Sequence, residues 1–503
     1  MSSHTAPSRQ HTAPHTTAHT AAHSDPHVGH GEPEDAGSRR SWAVLAVALT
    51  AQILVVLDIS VVNTALPSIG RSLTLDSGQL QWLVTAYLMM SGGGLLLGGR
   101  IADLMSRRTV FLTGLAVFTV ASLISGFAPN GTELIAARAA QGVAAALLTP
   151  SALSLVMTTY AGDQRKKGLA LWGAVGSLGV AVGVLVGGFI TTAASWHFIF
   201  WINGPIGVVA LLIGTRVVPR NITTRARITQ FDLPGAVTII GSLATLIYSL
   251  GATGTHGWTS PQAVVSSTIS MVLFMAFLAL ERRAAAPLFP PHIWKLNTLV
   301  SGTTVMLGVT GLLVGAVFLT SIFVQTVLGF SALKAGVAFL PFAFAITVGT
   351  VVARHLLAHV SPRAIATAGL IIVAGGAAVL STASGDSSYA TGILPGLVAL
   401  GLGVGMVFVP VSVTSMTGIP ASHSGLASGF LMTGHEVGAA LGVAVLSAVA
   451  TSAGSLTTAA GAADGFSRGF LAAAGLAVVV AVIAFTRMPA TRAEAGAGMH
   501  MHH

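Results

Sequence analysis

Apolar residues come in blocks along this chain, and short polar or glycine- and proline-bearing intervals separate them. A block of about 20 residues in helical form rises roughly 30 Å, which matches the hydrocarbon core of a bilayer. In order, the blocks predict helices over 42–66, 80–99, 109–127, 133–158, 168–190 and 198–216. Two follow over 233–253 and 263–280, and six more over 298–322, 334–354, 364–381, 390–412, 426–450 and 468–487. The expected fold class is an all-α membrane protein with 14 transmembrane helices. It would comprise two six-helix pseudo-symmetric bundles with two inserted linker helices. The expected divisions are a polar tail over 1–41, a first bundle over 42–220, the linker pair over 221–295, a second bundle over 296–488 and a tail over 489–503.

Composition supports lipid as the main solvent. Charged residues make up 8% of the chain, against about 25% in soluble domains. Too few charges are present to cover a water-facing surface of this size. The net charge of +9 points to no nucleic-acid partner, because the basic residues fall in small clusters between apolar blocks. That distribution is the signature of topology. With the N-terminus inside, Arg71, Lys334 and Arg468 fall in outer loops and Arg138 within a helix, and the rest of the 24 lysines and arginines fall inside. Both termini are therefore expected in the cytoplasm. The chain has no cysteine, which excludes disulfides and thiolate metal sites. The first apolar block is too long for a signal peptide and reads as an uncleaved membrane helix.

The second half echoes the first. A basic turn, Gly98 to Arg108, follows the second helix, and a weaker one, Arg354 to Arg363, follows the tenth. Gly114-Leu115 answers to Gly369-Leu370, Gly168-Leu169-Ala170 to Gly425-Leu426-Ala427, and Pro150 to Pro410. The offsets are all about 255–260 residues. Repeated halves of this kind place a substrate path at their interface, near mid-membrane, and rock against each other.

Several motifs carry a resemblance to the major facilitator superfamily, and within it to the fourteen-helix drug:proton antiporter branch. The family's loop between helices 2 and 3 is matched by Gly99, Ile101, Ala102, Asp103, Arg107 and Arg108, while Leu104 and Ser106 depart from it. Leu57 to Pro67 is similar to the branch's helix 1 signature, and Arg138-Ala139-Ala140-Gln141-Gly142 to its Arg-x-x-Gln-Gly motif. Gly179 to Gly188 resembles the antiporter motif of helix 5, with Val184 in place of its proline. Trp196 with Asn203-Gly204-Pro205 also fits the branch. The resemblance implies proton-driven export by alternating access. It gives Gly99, Asp103, Arg107 and Arg108 the role of a conformational switch loop, and places the helix 5 glycines between the halves.

Among ionisable residues, Asp58 stands out. A carboxylate inside a span costs about 2.5–3.5 kcal/mol on insertion scales, so it needs a partner or a cavity. Asp58 lies about 8 residues, or roughly 12 Å, from the outer end of its helix. Arg138 enters the fourth helix by about 5 residues, or roughly 8 Å, so the depths match. Opposing pulls of burial and of the cation would let such a group exchange a proton. The bland alternative is a static ion pair. Glu436, beside His435, sits near the middle of the thirteenth helix, where the family usually carries Arg-Gln. It is expected to carry a second proton or to attract a cationic substrate, unless it merely pairs with Thr433. Glu133 reads as a carboxylate placed at a positive helix N-terminus. Gly179, Gly183, Gly187 and Gly188, with Gly176, form a smooth stripe for close helix approach.

Other patterns carry less. Gly401-x-Gly403-x-Gly405 lies inside a span with no strand before it and is no nucleotide fingerprint. With no phosphate loop, no cofactor is expected and the proton gradient is the energy source. No nucleophile–base set and no loop large enough for a soluble domain argue against an enzyme. The histidine ladder His11, His15, His19, His23 and His27 falls among prolines and threonines, which reads as a disordered tail rather than a metal site. The expected function is efflux of an amphipathic small molecule across the bacterial cytoplasmic membrane, by a monomer in lipid. Phe274, Met306, Phe318, Phe323, Phe339, Phe342, Phe344, Met406 and Phe408 are candidate cavity walls. The alternatives are export of one specific metabolite or antibiotic, or transport of a nutrient or metal ion.

Overall fold

The computed structural model describes residues 34–160, 162–219, 232–284, 287–290, 293–419 and 424–490. Among them the chain is all helix and turn, with no strand. The first six helices are α1 (Glu34–Ser72), α2 (Ser77–Leu104), α3 (Arg107–Phe127), α4 (Gly131–Thr159), α5 (Gly162–Ala193) and α6 (Phe198–Val217). Two more, α7 (Leu233–His256) and α8 (Pro261–Glu281), stand between the halves. The last six are α9 (Asn297–Thr326), α10 (Ala332–Leu356), α11 (Pro362–Leu380), α12 (Tyr389–Met416), α13 (Ser424–Ala453) and α14 (Ala459–Arg487). Thirteen are long and apolar enough to cross a membrane, and α5 shows a shorter apolar stretch over Val182–Ala193. This is the expected fourteen-helix pattern.

Helix ends follow local chemistry. Asp76 caps α2 by accepting from Gln79 N–H at 2.7 Å while Gln79 reaches back to the Asp76 N–H, a reciprocal capping box. Asn130 caps α4 and also donates to Glu133 at 2.9 Å, which places Glu133 in the first turn as expected. Helix α6 turns at Ile202 before Pro205, and α10 at Phe339 before Pro341. Proline supplies no N–H and suits the first turn that follows such a break.

Three boundaries differ from the sequence reading. α1 begins at Glu34, ahead of the apolar run that starts at Trp42, so the helix is already wound when it meets the lipid. α2 runs on to Leu104 and α3 starts at Arg107. The expected loop Gly98–Arg108 is therefore mostly helix, with Met105 and Ser106 as its turn. The histidine ladder, and the ends of the chain generally, lie outside the described residues.

Within each half the helices pack mostly on one another, and the repeat reappears as matching contacts. A Cβ at Gly142 of α4 would press on Tyr87 O of α2, and one at Gly401 of α12 on Phe342 O of α10. Gly114 of α3 lies against Ala144 and Leu148, and Gly369 of α11 against Gly403 and Val407. The linker helices α7 and α8 join through serine pairs: Ser270 donates to Ser242 O at 2.8 Å, and the hydroxyls of Ser249 and Ser267 lie 2.6 Å apart. The pair rests on α2 and α13, where Gly93 receives Ile240 and Gly254 meets Ala448.

The halves meet along α2 and α13 and at the end of the molecule remote from the start of α1 and the end of α14. There Ser321 Oγ donates to Asn63 O at 2.5 Å, Gln325 Nε2 to Thr64 O at 3.0 Å and Leu333 N–H to Thr192 Oγ1 at 2.9 Å. Leu456 N–H also donates to Ser77 Oγ at 3.0 Å.

Candidate functional site: a buried charge network in the first half

Asp58 sits in the middle of α1, 3% exposed, and Arg138 in α4, 1% exposed. They form an ion pair through Asp58 Oδ2 and the Arg138 guanidinium. The depth argument from sequence anticipates this pair. Most of what surrounds it was not legible. Gln141, one turn along α4, donates to Asp58 Oδ1 at 3.0 Å and accepts from Arg138 at 2.9 Å. Asn203, at the turn of α6, donates to the same Asp58 oxygen at 3.5 Å and to Ser122 at 3.0 Å. Ser125, one turn from Ser122 on α3, donates to Gln141 Oε1 at 3.2 Å. Arg138 Nε donates to Leu83 O at 3.2 Å, and its guanidinium lies 4.5 Å from the Tyr87 ring centre.

Five helices thus converge on one carboxylate. The donors of Arg138, Gln141 and Asn203 that face the carboxylate all find acceptors, which a charge out of water requires. The Tyr87 ring adds a cation–π contact worth up to about 2 kcal/mol in a dry site. Its hydroxyl is buried without a hydrogen-bond partner, and it lies within electrostatic reach of both Asp58 and Glu436. The only signal for Tyr87, Ser122 and Ser125 in the sequence is polarity inside apolar blocks.

Glu436 is placed differently. It stands where α13 crosses α2, with its Cβ against the bare backbone of Gly92. Its Oε1 is 3.6 Å from His435 Nδ1, and its Oε2 is buried with no donor. The pairing with Thr433 does not form: the Thr433 hydroxyl also lacks a partner. Among the described residues the second half shows no ion pair like Asp58–Arg138, and by the Gly142–Gly401 match Leu397 stands where Arg138 does.

The profile of the Major Facilitator Superfamily matches residues 48–443. The chain belongs to this family. Among its relatives are the puromycin resistance protein of Streptomyces alboniger, 37% identical over 88% of this chain and 90% of that one. The cephamycin export protein of Amycolatopsis lactamdurans is 39% identical over 80% and 83%. A multidrug resistance protein of Mycobacterium tuberculosis is 31% identical over 79% and 73%. Among solved structures, a peptide transporter has a TM-score of 0.64 at 13% identity, covering 88% of this chain and 93% of that one. A bacterial homologue of the lysosomal transporter Spinster, inward-facing and occupied, has a TM-score of 0.61 at 14% identity, covering 89% and 96%. These two show the shared fold.

As a superfamily member the chain is a multi-pass membrane transporter, and its family motifs can be followed in space. In the Gly98–Arg108 segment, Arg108 ties α3 to the end of α6 by donating to Val218 O at 2.8 Å and to Thr215 O. Arg107 Nε is buried without a partner. The Asp103 side chain lies outside the described residues. Gly99 meets only Pro150 Cβ at 4.0 Å, and the glycine that allows close approach is its neighbour Gly98, which abuts Ala146 O of α4.

The glycine stripe of α5 corrects an expectation. A Cβ at Gly179, Gly183 or Gly187 would meet Val56, Ser60 or Thr64, all on α1. The stripe therefore packs inside the first half. Gly188 alone among the named glycines crosses between halves, where a Cβ would lie 2.5 Å from Ala332 O. The reciprocal contact is Gly336 of α10 against Val184 O, the residue that replaces the family proline. Gly176 falls outside the described side chains. Several expected cavity aromatics are also core instead. Phe318 and Phe323 are fully buried, Phe323 stacks on Phe466 at 4.2 Å, and Phe344 is 71% exposed on the outside.

Proposed function

We propose that this chain exports amphipathic small molecules in exchange for protons across the bacterial cytoplasmic membrane. The observation that carries the coupling is the Asp58 network: a buried carboxylate whose donors come from α4 and α6 while it rides on α1. Helices that move relative to one another would change that donor set, and with it the hold on a proton. Glu436 is the second proton site in this reading, supported by its unpartnered Oε2 at the crossing of the halves. No cofactor enters, and the proton gradient supplies the energy.

Loop charge supports termini on the cytoplasmic side. In that orientation the hydrogen bonds between halves hold the outer end together. Alternating access then means breaking those contacts and closing the inner end. The monomer in lipid is the working unit. Export of a drug-like substrate is supported by relatives whose names record resistance to or export of puromycin, cephamycin and multiple drugs. Those names also favour the second reading, a transporter devoted to one antibiotic.

Asp58→Asn tests the coupling. In vesicles the variant is expected to lose pH-gradient-driven transport while still binding substrate. Wild-type gradient-driven rates in Asp58→Asn would overturn the assignment. A susceptibility screen of expressing cells against antibiotics and dyes separates broad from single-compound export.

A further inference from the structure

A second pair of carboxyl groups lies far from Asp58, where the linker helices end on the side of the chain's termini. Asp232 caps α7: its Oδ1 accepts from Gly235 N–H at 2.9 Å. Glu281 is the last residue of α8, and its Oε1 accepts from Phe289 N–H at 2.5 Å. Each carboxyl thus has one oxygen engaged with backbone. The other two oxygens, Asp232 Oδ2 and Glu281 Oε2, are buried and find no donor. Asp232 is 7% exposed, and the packing of Leu288 on Ala236 and Phe277 brings the two carboxyl groups together at this end of the hairpin, where they interact.

Two carboxylates can meet through oxygens in this way only if a proton lies between them, because ionised carboxylates accept and do not donate. Two negative charges at that separation, out of water, repel strongly. We propose that Asp232 and Glu281 form a second proton-binding site, in which one proton shared by Oδ2 and Oε2 clamps the end of the α7–α8 hairpin.

The clamp has a mechanical reach. The Phe289 N–H held by Glu281 fixes the 287–290 turn, whose Leu288 packs with Ala236 of α7, Phe277 of α8 and Leu96 and Leu97 of α2. The Phe289 ring makes edge contacts with Phe277 at 5.9 Å and with Phe430 of α13 at 5.5 Å. A proton at this pair therefore fastens the linker hairpin both to α2 and to the end of α13, one helix from each half. Asp232 is the titratable group facing Glu281. Among the described residues, the nearest cations along the chain are Arg282 and Arg283, next to Glu281, and Lys295 after the turn, and Arg100 lies one turn beyond Leu96 and Leu97 on α2. Loss of the proton leaves two like charges in contact, and the turn is released. The site lies off the path between the halves and does not depend on the assignment of Asp58.

Hydrogen exchange of the full-length protein in nanodiscs reads the clamp directly, from about pH 5 to 9. Protection of the 287–290 amides, corrected for the intrinsic pH dependence of exchange, is expected to fall at least tenfold toward alkaline pH. An infrared band of a protonated carboxyl group that the wild type shows and Glu281→Gln lacks should fade in parallel. In Glu281→Gln the amide accepts from Phe289 and donates to Asp232 at any pH, so protection stays flat and the band is lost. Asp232→Asn, which keeps the helix cap, should behave alike and serves if Glu281→Gln folds poorly. Absence of the band from the wild type, or wild-type pH dependence in both amide variants, overturns the shared proton. A band that persists while exchange stays flat overturns the release.

Discussion

Asp58 and Glu436 are both carboxylates in apolar helices, yet they are kept in different ways. Asp58 is enclosed by Arg138, Gln141 and Asn203, whereas Glu436 keeps an oxygen without any donor. The Asp58–Arg138 pair was legible because depth along a helix is a matter of counting residues. Asn203 was not, because nothing in a separation of 145 residues says that two side chains meet. Gln141→Leu removes a donor to Asp58 and an acceptor for Arg138 and Ser125 together. Unmet buried groups of this kind cost about 1–3 kcal/mol. The expected result is a lower melting temperature in detergent, with gradient-driven transport slowed. A variant as stable as the wild type would show that the glutamine is not part of the network.

At the scale of elements, α5 separates two jobs that its sequence runs together. Gly179, Gly183 and Gly187 seat it on α1, while Gly188 meets α10 across the interface. Overpacking such contacts costs about 1–3 kcal/mol, but the consequence differs with the partner. Gly183→Val should lower thermal stability and leave the contact between halves intact. Gly188→Val should weaken that contact, read as a fall in cross-linking between cysteines placed at Thr192 and Leu333. Equal behaviour of the two variants in both assays would contradict the division. The switch region teaches a similar lesson. Its polar residues suggest a loop, but α2 continues through them because Gly98 lets the helix lie against Ala146 of α4.

For the whole molecule, the two halves share a contact plan but not a chemistry. The buried ion pair belongs to the first half, and Leu397 stands in the second half where Arg138 stands in the first. The bundle is thus symmetric in packing and one-sided in charge. The hydrogen bond from Leu333 N–H to Thr192 Oγ1 offers a direct test of rocking. The chain has no native cysteine, so the pair Thr192→Cys and Leu333→Cys gives a clean cross-link. Oxidation should lock that end and stop transport, and a reductant should restore it. Undiminished transport by the fully oxidised protein would rule out opening at that end.

The sequence by itself determined the number and order of the helices, because apolar length and loop chemistry are local quantities that lipid reads directly. It also determined the repeat and the depth of Asp58, which follow from spacing along the chain. Only the tertiary structure decided which helix face meets which. The α5 stripe turned to α1, Phe323 turned inward to Phe466, and Glu436 was left without Thr433. The same holds for Asp232 and Glu281, 49 residues apart in sequence, which unite only because α7 and α8 fold back as a hairpin. Hydrophobicity sets which residues leave water, but in a membrane every face of a helix is already out of it. The choice of partner then falls to close packing and to the pairing of buried polar groups, and both are properties of the assembled bundle.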